Sequence, residues 1–250
     1  MHRIAVLVYM TAMMLFAGGV FILGNHSEGS LHRKDMLNTA NWKLTIPVAQ
    51  KGSETPQEIR QPQLSTYQSG FFRPNEADTG MVFRANVGGT PVVHGGFART
   101  ELREMTDGGT QKAAWSSAGS VNTLTIRESI DHLPPVRPAA VAGQIHGPGE
   151  EYVALIRIDG RKIWVKTEGG DAGTLADDYQ LGTIFTVKLE SSGNWLRFYY
   201  DSKLKVTVNY TCSGCYFKAG VYLQSSTRWD KPDAWGQVTI YDVKVSHQAS

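Results

Sequence analysis

The chain has 250 residues, 26 of them glycine and 10 proline, and 41% hydrophobic content, which suits one large all-β domain and excludes a disordered chain. Its 25 basic and 23 acidic residues nearly cancel. A polyanionic partner would have to be met by a local cluster of cations, so non-specific nucleic-acid binding through a global basic field is excluded.

Residues 1–24 carry Arg3 and then an uncharged, mostly apolar run from Ile4 to Gly24. This run has the character of an export signal peptide and is set apart from the fold. It is also just long enough to span a bilayer, so an uncleaved membrane anchor is the alternative. The expected location is therefore secreted or periplasmic, or anchored with the domain outside the cytoplasm. Residues 25–38 are polar and form a linker, which leaves 39–250 as the folded domain.

From Asn41 onward, short alternating runs succeed one another: "NWKLTIPV", "GMVFRANV", "ARTELREM", "VNTLTIRESI", "EYVALIRIDG", "KIWVKTEG", "FTVKLESSG", "WLRFYYDS", "KVTVNYT", "YFKAGVYLQ" and "QVTIYDVKVSH". Turn signals such as Gly88-Gly89, Asp159-Gly160 and Gly169-Gly170 separate them. Many short strands with regular turns predict an antiparallel β-sandwich or jelly roll. No long window has helical periodicity, although "TLADDYQ" allows one helical turn. In the last run the alternation of Val238 and Ile240 changes phase before Val243 and Val245, which predicts a bulge. Cys212 and Cys215 form "CSGC"; in an exported chain this is a disulfide tying a tight loop. A redox dithiol would want a surrounding βαβ pattern, and zinc a second ligand pair at suitable spacing.

Side chains two apart on a strand share a face. By that rule Arg99, Glu101 and Arg103 lie together in "ARTELRE", Gln144 and His146 in "GQIHG", and Tyr216, Lys218, Tyr222 and Gln224 in "YFKAGVYLQ". Each set alone has an ordinary explanation: a solvated row of ion pairs of little worth, a surface histidine, the wet side of a sheet. Their joint occurrence, with Gly143, Gly147 and Gly220 leaving room for a ligand, points to a groove holding cations, an amide, an imidazole and a phenol. The Glu-x-Asp-x-x-Glu run of sandwich-fold glucanases, HExxH, G-x-S-x-G and the phosphate loop are all missing from the sequence. Cations and proton-transfer groups without an obvious carboxylate pair suit an acidic sugar cleaved by elimination.

"RTELRE", "QIH" and "YFKAGVYLQ", in that order, resemble the three signature blocks of alginate lyases in polysaccharide lyase family seven. "NWKLTIP", "FFRPNEADTGMVFRA" and "VTIYDVKV" resemble that family too, so the likeness covers about residues 41–245. The resemblance implies a concanavalin-like β-jelly roll with a concave groove for alginate, an anionic polysaccharide of mannuronate and guluronate. It implies Arg99, Gln144, His146 and Tyr222 as the catalytic set, with Glu101, Arg103, Lys218 and Gln224 as substrate-binding residues that shape and charge the groove.

In a 4-linked uronate the proton on carbon 5 sits beside the carboxylate, and its removal adds a second negative charge. Hydrogen bonds from Arg99, Gln144 and His146 would offset that charge. Tyr222 is then the acid for the departing oxygen on carbon 4. With mannuronate, Tyr222 serves as base as well; with guluronate, neutral His146 is the base. A phenol acting as base needs a cation beside it, and Lys218 is the expected one. Neither a metal nor a redox cofactor is required. The isoleucine of "QIH", Ile145, is associated in the family with guluronate-containing stretches. Two rivals stay open: a lyase for another polyuronate such as a glucuronan, and a non-catalytic module that binds acidic glycans. A monomer is expected, with no nucleic-acid partner and with membrane contact only if the leader is retained.

Overall fold

The computed structural model describes residues 36–92, 96–149 and 151–249; the 1–24 leader and most of the 25–38 linker fall outside them. Among the described residues the chain forms sixteen strands and two short 3-10 turns, Gln63–Ser65 and Asp107–Gly109. In chain order the first strands are β1 (Trp42–Ala49), β2 (Pro56–Ile59), β3 (Phe72–Pro74), β4 (Met81–Asn86), β5 (Arg99–Thr106), β6 (Gln111–Lys112), β7 (Ser120–His132) and β8 (Ala139–His146). They continue as β9 (Tyr152–Asp159), β10 (Lys162–Thr167), β11 (Gly170–Ala176), β12 (Phe185–Ser192), β13 (Trp195–Tyr200), β14 (Lys203–Asn209), β15 (Tyr216–Leu223) and β16 (Trp235–Ala249).

Nine strands form one antiparallel sheet in the order β11-β10-β9-β8-β15-β5-β1-β2, with β6 against β5. The other seven are ordered β14-β13-β12-β7-β16-β4-β3. The sheets stack on an apolar core as a β-sandwich of the jelly-roll kind. Alternation decides which face goes inward. On β1, Trp42, Leu44 and Ile46 enter the core while Lys43 and Thr45 do not. On β15, Phe217, Ala219, Val221 and Leu223 are all fully buried. Burying one large apolar side chain contributes about 1.5–3 kcal/mol, and a slip of one residue would turn the whole row outward. The register is therefore held by the core.

The phase change in the last run is a bulge: β16 shifts register against β7 between Ile240 and Asp242, which lets Val238, Ile240 and Val243 all reach the core. The helical turn expected in "TLADDYQ" does not form. Thr174–Ala176 completes β11, and the Tyr179 hydroxyl accepts from the Ile130 amide at 2.8 Å and donates to the Thr183 carbonyl at 2.7 Å. Those tertiary bonds outweigh a weak local preference. The linker boundary also moves, because Met36 and Leu37 are buried in the core.

One buried residue runs against the pattern. Glu128 on β7 is fully buried, and neither carboxylate oxygen has a hydrogen-bond partner among the described residues. Burial, and then the charge of Asp131, push its carboxyl well above the ordinary range. A group raised on folding gives its full stability below the unfolded value and loses it as pH climbs. Glu128→Met is thus expected to raise the melting temperature over the parent, with a larger gain at about pH 8 than at about pH 5. A thermal melt showing no gain, or the same gain at both pH values, contradicts this.

Candidate active site

β5, β15 and β8 are consecutive in the interior of the nine-stranded sheet. Their register sets Tyr222 opposite Arg99, Lys218 between Arg103 and Gln144, and Tyr216 opposite His146. Side chains that lie far apart in sequence thereby share one floor, on the face turned away from the core. Arg99, Glu101, Arg103, His146, Tyr216 and Lys218 line a cleft of about 440 Å³, together with Lys43 of β1, Glu58 of β2 and Lys112 of β6. Among the described residues that line it, Lys43, Arg99, Arg103, Lys112 and Lys218 are set against Glu58 and Glu101, an excess of positive charge.

Glu101 is the hub of this floor. Its side chain is 3% exposed. It accepts from Arg99 Nη1 at 3.2 Å, from Lys218 Nζ at 3.2 Å, and from the Gln144 amide. Burial alone would raise its carboxyl, but Lys218 and then Arg99, with the Gln144 hydrogen bond, hold it below the usual range. Burial pushes the Lys218 ammonium down, and Glu101 draws it back. Glu101 is ionised, and it fixes three of the groups around it.

His146 is 7% exposed. Burial, followed by the charge of Lys218, pushes it down to about 4, against the opposing pull of Glu101. It is therefore neutral at neutral pH. Its Nδ1 lies 3.0 Å from the Tyr216 hydroxyl, and the two rings stack at 5.0 Å. The Arg103 guanidinium carbon lies 3.9 Å from the Tyr216 ring centre. Arg103 also donates to the carbonyls of Glu104 and Ala113. The Tyr216 contact and a hydrogen bond with the Gly147 backbone thus hold the imidazole in orientation.

The cation at Tyr222 is Arg99, whose guanidinium carbon sits 3.8 Å from the ring centre. Lys218, the expected one, is spent on Glu101. Gln224 also departs from expectation. It lies past the end of β15, buried, donating to the Leu223 carbonyl and accepting from Arg157 Nη1 at 3.1 Å. It braces β9; Gln144 and Tyr222 share the floor by register but, like Gln224, are not among the residues lining the cleft of about 440 Å³.

Gly220 and Gly143 serve packing, not ligand approach. At Gly220, with φ +139°, a Cβ would meet the Thr100 carbonyl and lie 2.9 Å from Glu101 Cα and 3.0 Å from Phe83 Cδ1. A Cβ at Gly143 would lie 3.0 Å from Ile126 Cδ1 in the core, and one at Gly147 would meet the Glu151 side chain.

Several residues escaped the sequence reading. Glu104, on the opposite face of β5, is buried and accepts from Trp115 Nε1 at 3.0 Å and the Phe217 amide at 2.8 Å, and it meets His247 Nε2 at 2.7 Å. This carboxylate ties β5 to β15 and to the end of β16. Lys43 was legible by parity in "NWKLTIPV", but that β1 borders β5 was not. Glu58 sits on a four-residue strand too short to show alternation. Cys212 and Cys215 form the expected disulfide. Trp115 and Cys215 exchange backbone hydrogen bonds of 2.8 and 2.9 Å, docking that loop just ahead of β15.

A family model described as alginate lyase matches residues 36–247. An alginate lyase of Klebsiella pneumoniae is 27% identical over 86% of this chain and 91% of that protein. The fold matches the solved structure of an alginate lyase from polysaccharide lyase family 7, with 41% identity, 87% of this chain and 99% of that chain covered, and a TM-score of 0.82. It also matches the alginate lyase from Corynebacterium sp., at 37% identity, 86% and 97% coverage, and a TM-score of 0.81. The chain belongs to the alginate lyases of polysaccharide lyase family seven.

Proposed function

We propose that this alginate lyase cleaves guluronate-containing stretches by β-elimination, with Arg99, Gln144, His146 and Tyr222 as the catalytic set. The observation that carries the reading is the register of β8, β15 and β5, which brings a guanidinium, an amide, an imidazole and a phenol onto one floor. Arg99 and Gln144 hydrogen-bond the uronate carboxylate and offset the charge that develops there; one such preorganised donor is worth about a hundred- to a thousandfold in rate. Neutral His146 takes the carbon-5 proton of guluronate on its unprotonated ring nitrogen, the ring being oriented by the contact between Nδ1 and the Tyr216 hydroxyl. The electron pair becomes the bond between carbons 4 and 5. The carbon 4–oxygen bond breaks, and Tyr222 protonates the leaving oxygen. For mannuronate, whose proton and leaving group lie on the same side, Tyr222 performs both transfers, and Arg99 stabilises the phenolate between them. The product carries a new double bond at its non-reducing end. Ile145, fully buried between the two catalytic residues of β8, supports the guluronate preference only through family likeness. The apolar leader supports action outside the cytoplasm.

The test is growth of ultraviolet absorbance on polyguluronate, polymannuronate and mixed blocks. His146→Asn is expected to slow polyguluronate cleavage at least as much as polymannuronate cleavage, and the opposite ranking overturns the division of roles. Because protonation silences the base and its value is about 4, polyguluronate activity should persist through the ordinary histidine range and fall only on approach to that value. A loss centred near the unperturbed histidine value, about 6.5, contradicts the assignment.

A further inference from the structure

The aromatic surface does not stop at Tyr222. Phe97, just ahead of β5, has its ring centre 6.3 Å from that of Tyr222 and 6.4 Å from that of Trp229, in the segment after β15. Trp229 is 38% exposed, high for the largest apolar side chain. The guanidinium carbon of Arg137, from the β7–β8 connection, lies 4.0 Å from its ring centre, and that of Arg228 lies 5.5 Å away. Among the described residues no carboxylate forms an ion pair with either arginine. The pair is held by construction. Asp230, 4% exposed, accepts from the Val136 amide at 2.8 Å, the Arg137 amide at 3.0 Å and the Ser225 hydroxyl at 2.6 Å. A buried carboxylate is costly unless such bonds satisfy it. Here its three bonds clamp the tryptophan-bearing segment to the arginine-bearing one.

We propose that Trp229 and Arg137 form an outlying platform for a uronate residue of the polymer, remote from the bond being cleaved. The uncovered part of the indole takes the apolar face of the sugar, and the unpaired guanidinium takes its carboxylate. An exposed aromatic with a cation that lacks an acidic partner is the combination an acidic sugar needs, and Phe97 makes it continuous with Tyr222. The identity of the ligand rests on the alginate lyase reading; the existence of the platform does not rest on catalysis.

The experiment is calorimetric titration of alginate oligosaccharides of increasing length into the Tyr222→Phe protein, with and without Trp229→Ala or Arg137→Gln. Tryptophan and arginine are enriched among the few contact residues whose truncation costs about tenfold or more in affinity. The expected result is a loss of roughly tenfold for hexasaccharides in either variant, with trisaccharide affinity moved by less than about twofold. In the Tyr222-containing protein the same changes should raise KM on polymer far more than they lower kcat. Hexasaccharide affinities equal to the parent's, in a parent that does form unsaturated ends, overturn the platform alone. Trp229-dependent binding in a protein that forms no unsaturated ends keeps the platform and overturns the lyase mechanism. Failure of the parent to bind overturns both.

Discussion

Tyr222→Phe is expected to fold like the parent and to form unsaturated product at least about a hundredfold more slowly, the low end of the range for a lost acid–base group. The substitution removes a single oxygen. The ring that Arg99 covers at 3.8 Å is kept, and so is the backbone pairing with β5. The hydroxyl has no hydrogen-bond partner among the described residues, so its loss leaves no buried group orphaned. Thermal melting of the variant should match the parent, which separates a chemical defect from a folding one. Activity above a few per cent of the parent's would remove Tyr222 from the role of acid.

Glu101→Ala is expected to be the most destabilising change on the floor. Surface ion pairs are worth little, but these side chains are 3%, 11% and 12% exposed at Glu101, Arg99 and Lys218. Deleting one member of a buried set strands the other charges, at a cost of roughly 3–5 kcal/mol. Gln144 loses its acceptor as well. The pH dependence gives a second check. The Glu101 carboxyl is held below its ordinary value, so its contribution is full above the unfolded value and disappears as pH falls through the folded one. The gap between parent and variant, measured by denaturant unfolding, should therefore be widest at neutral pH and narrow towards acid. A gap under about 1 kcal/mol at neutral pH would reduce the hub to an ordinary surface pair.

Much of the fold was legible because alternation is local. Trp42, Leu44 and Ile46, or Phe217, Ala219, Val221 and Leu223, declare a buried face within one run, and the phase change around Tyr241 declares the bulge. Parity likewise put Arg99, Glu101 and Arg103 on one face. What parity leaves out is which strands are neighbours and who partners whom across them. Lys218 could be placed on the face of Tyr222, but not on the carboxylate of Glu101, because that contact depends on the β5–β15 register. Gln224 has the right parity and the wrong destination, since β15 ends one residue before it. Glycines mislead for a related reason. A missing side chain shows that something comes close, and here the visitor is a neighbouring strand or side chain of the protein itself.

Gly220 gives that lesson a practical edge. It stands midway between Lys218 and Tyr222 and directly across from Glu101, yet it offers a sugar nothing to hold. Any larger residue there would wedge the two central ribbons apart and carry the phenol away from its guanidinium. A mutational scan of the groove would score this position as severely as an acid or a base, and the score would measure spacing between neighbours, with no chemistry behind it.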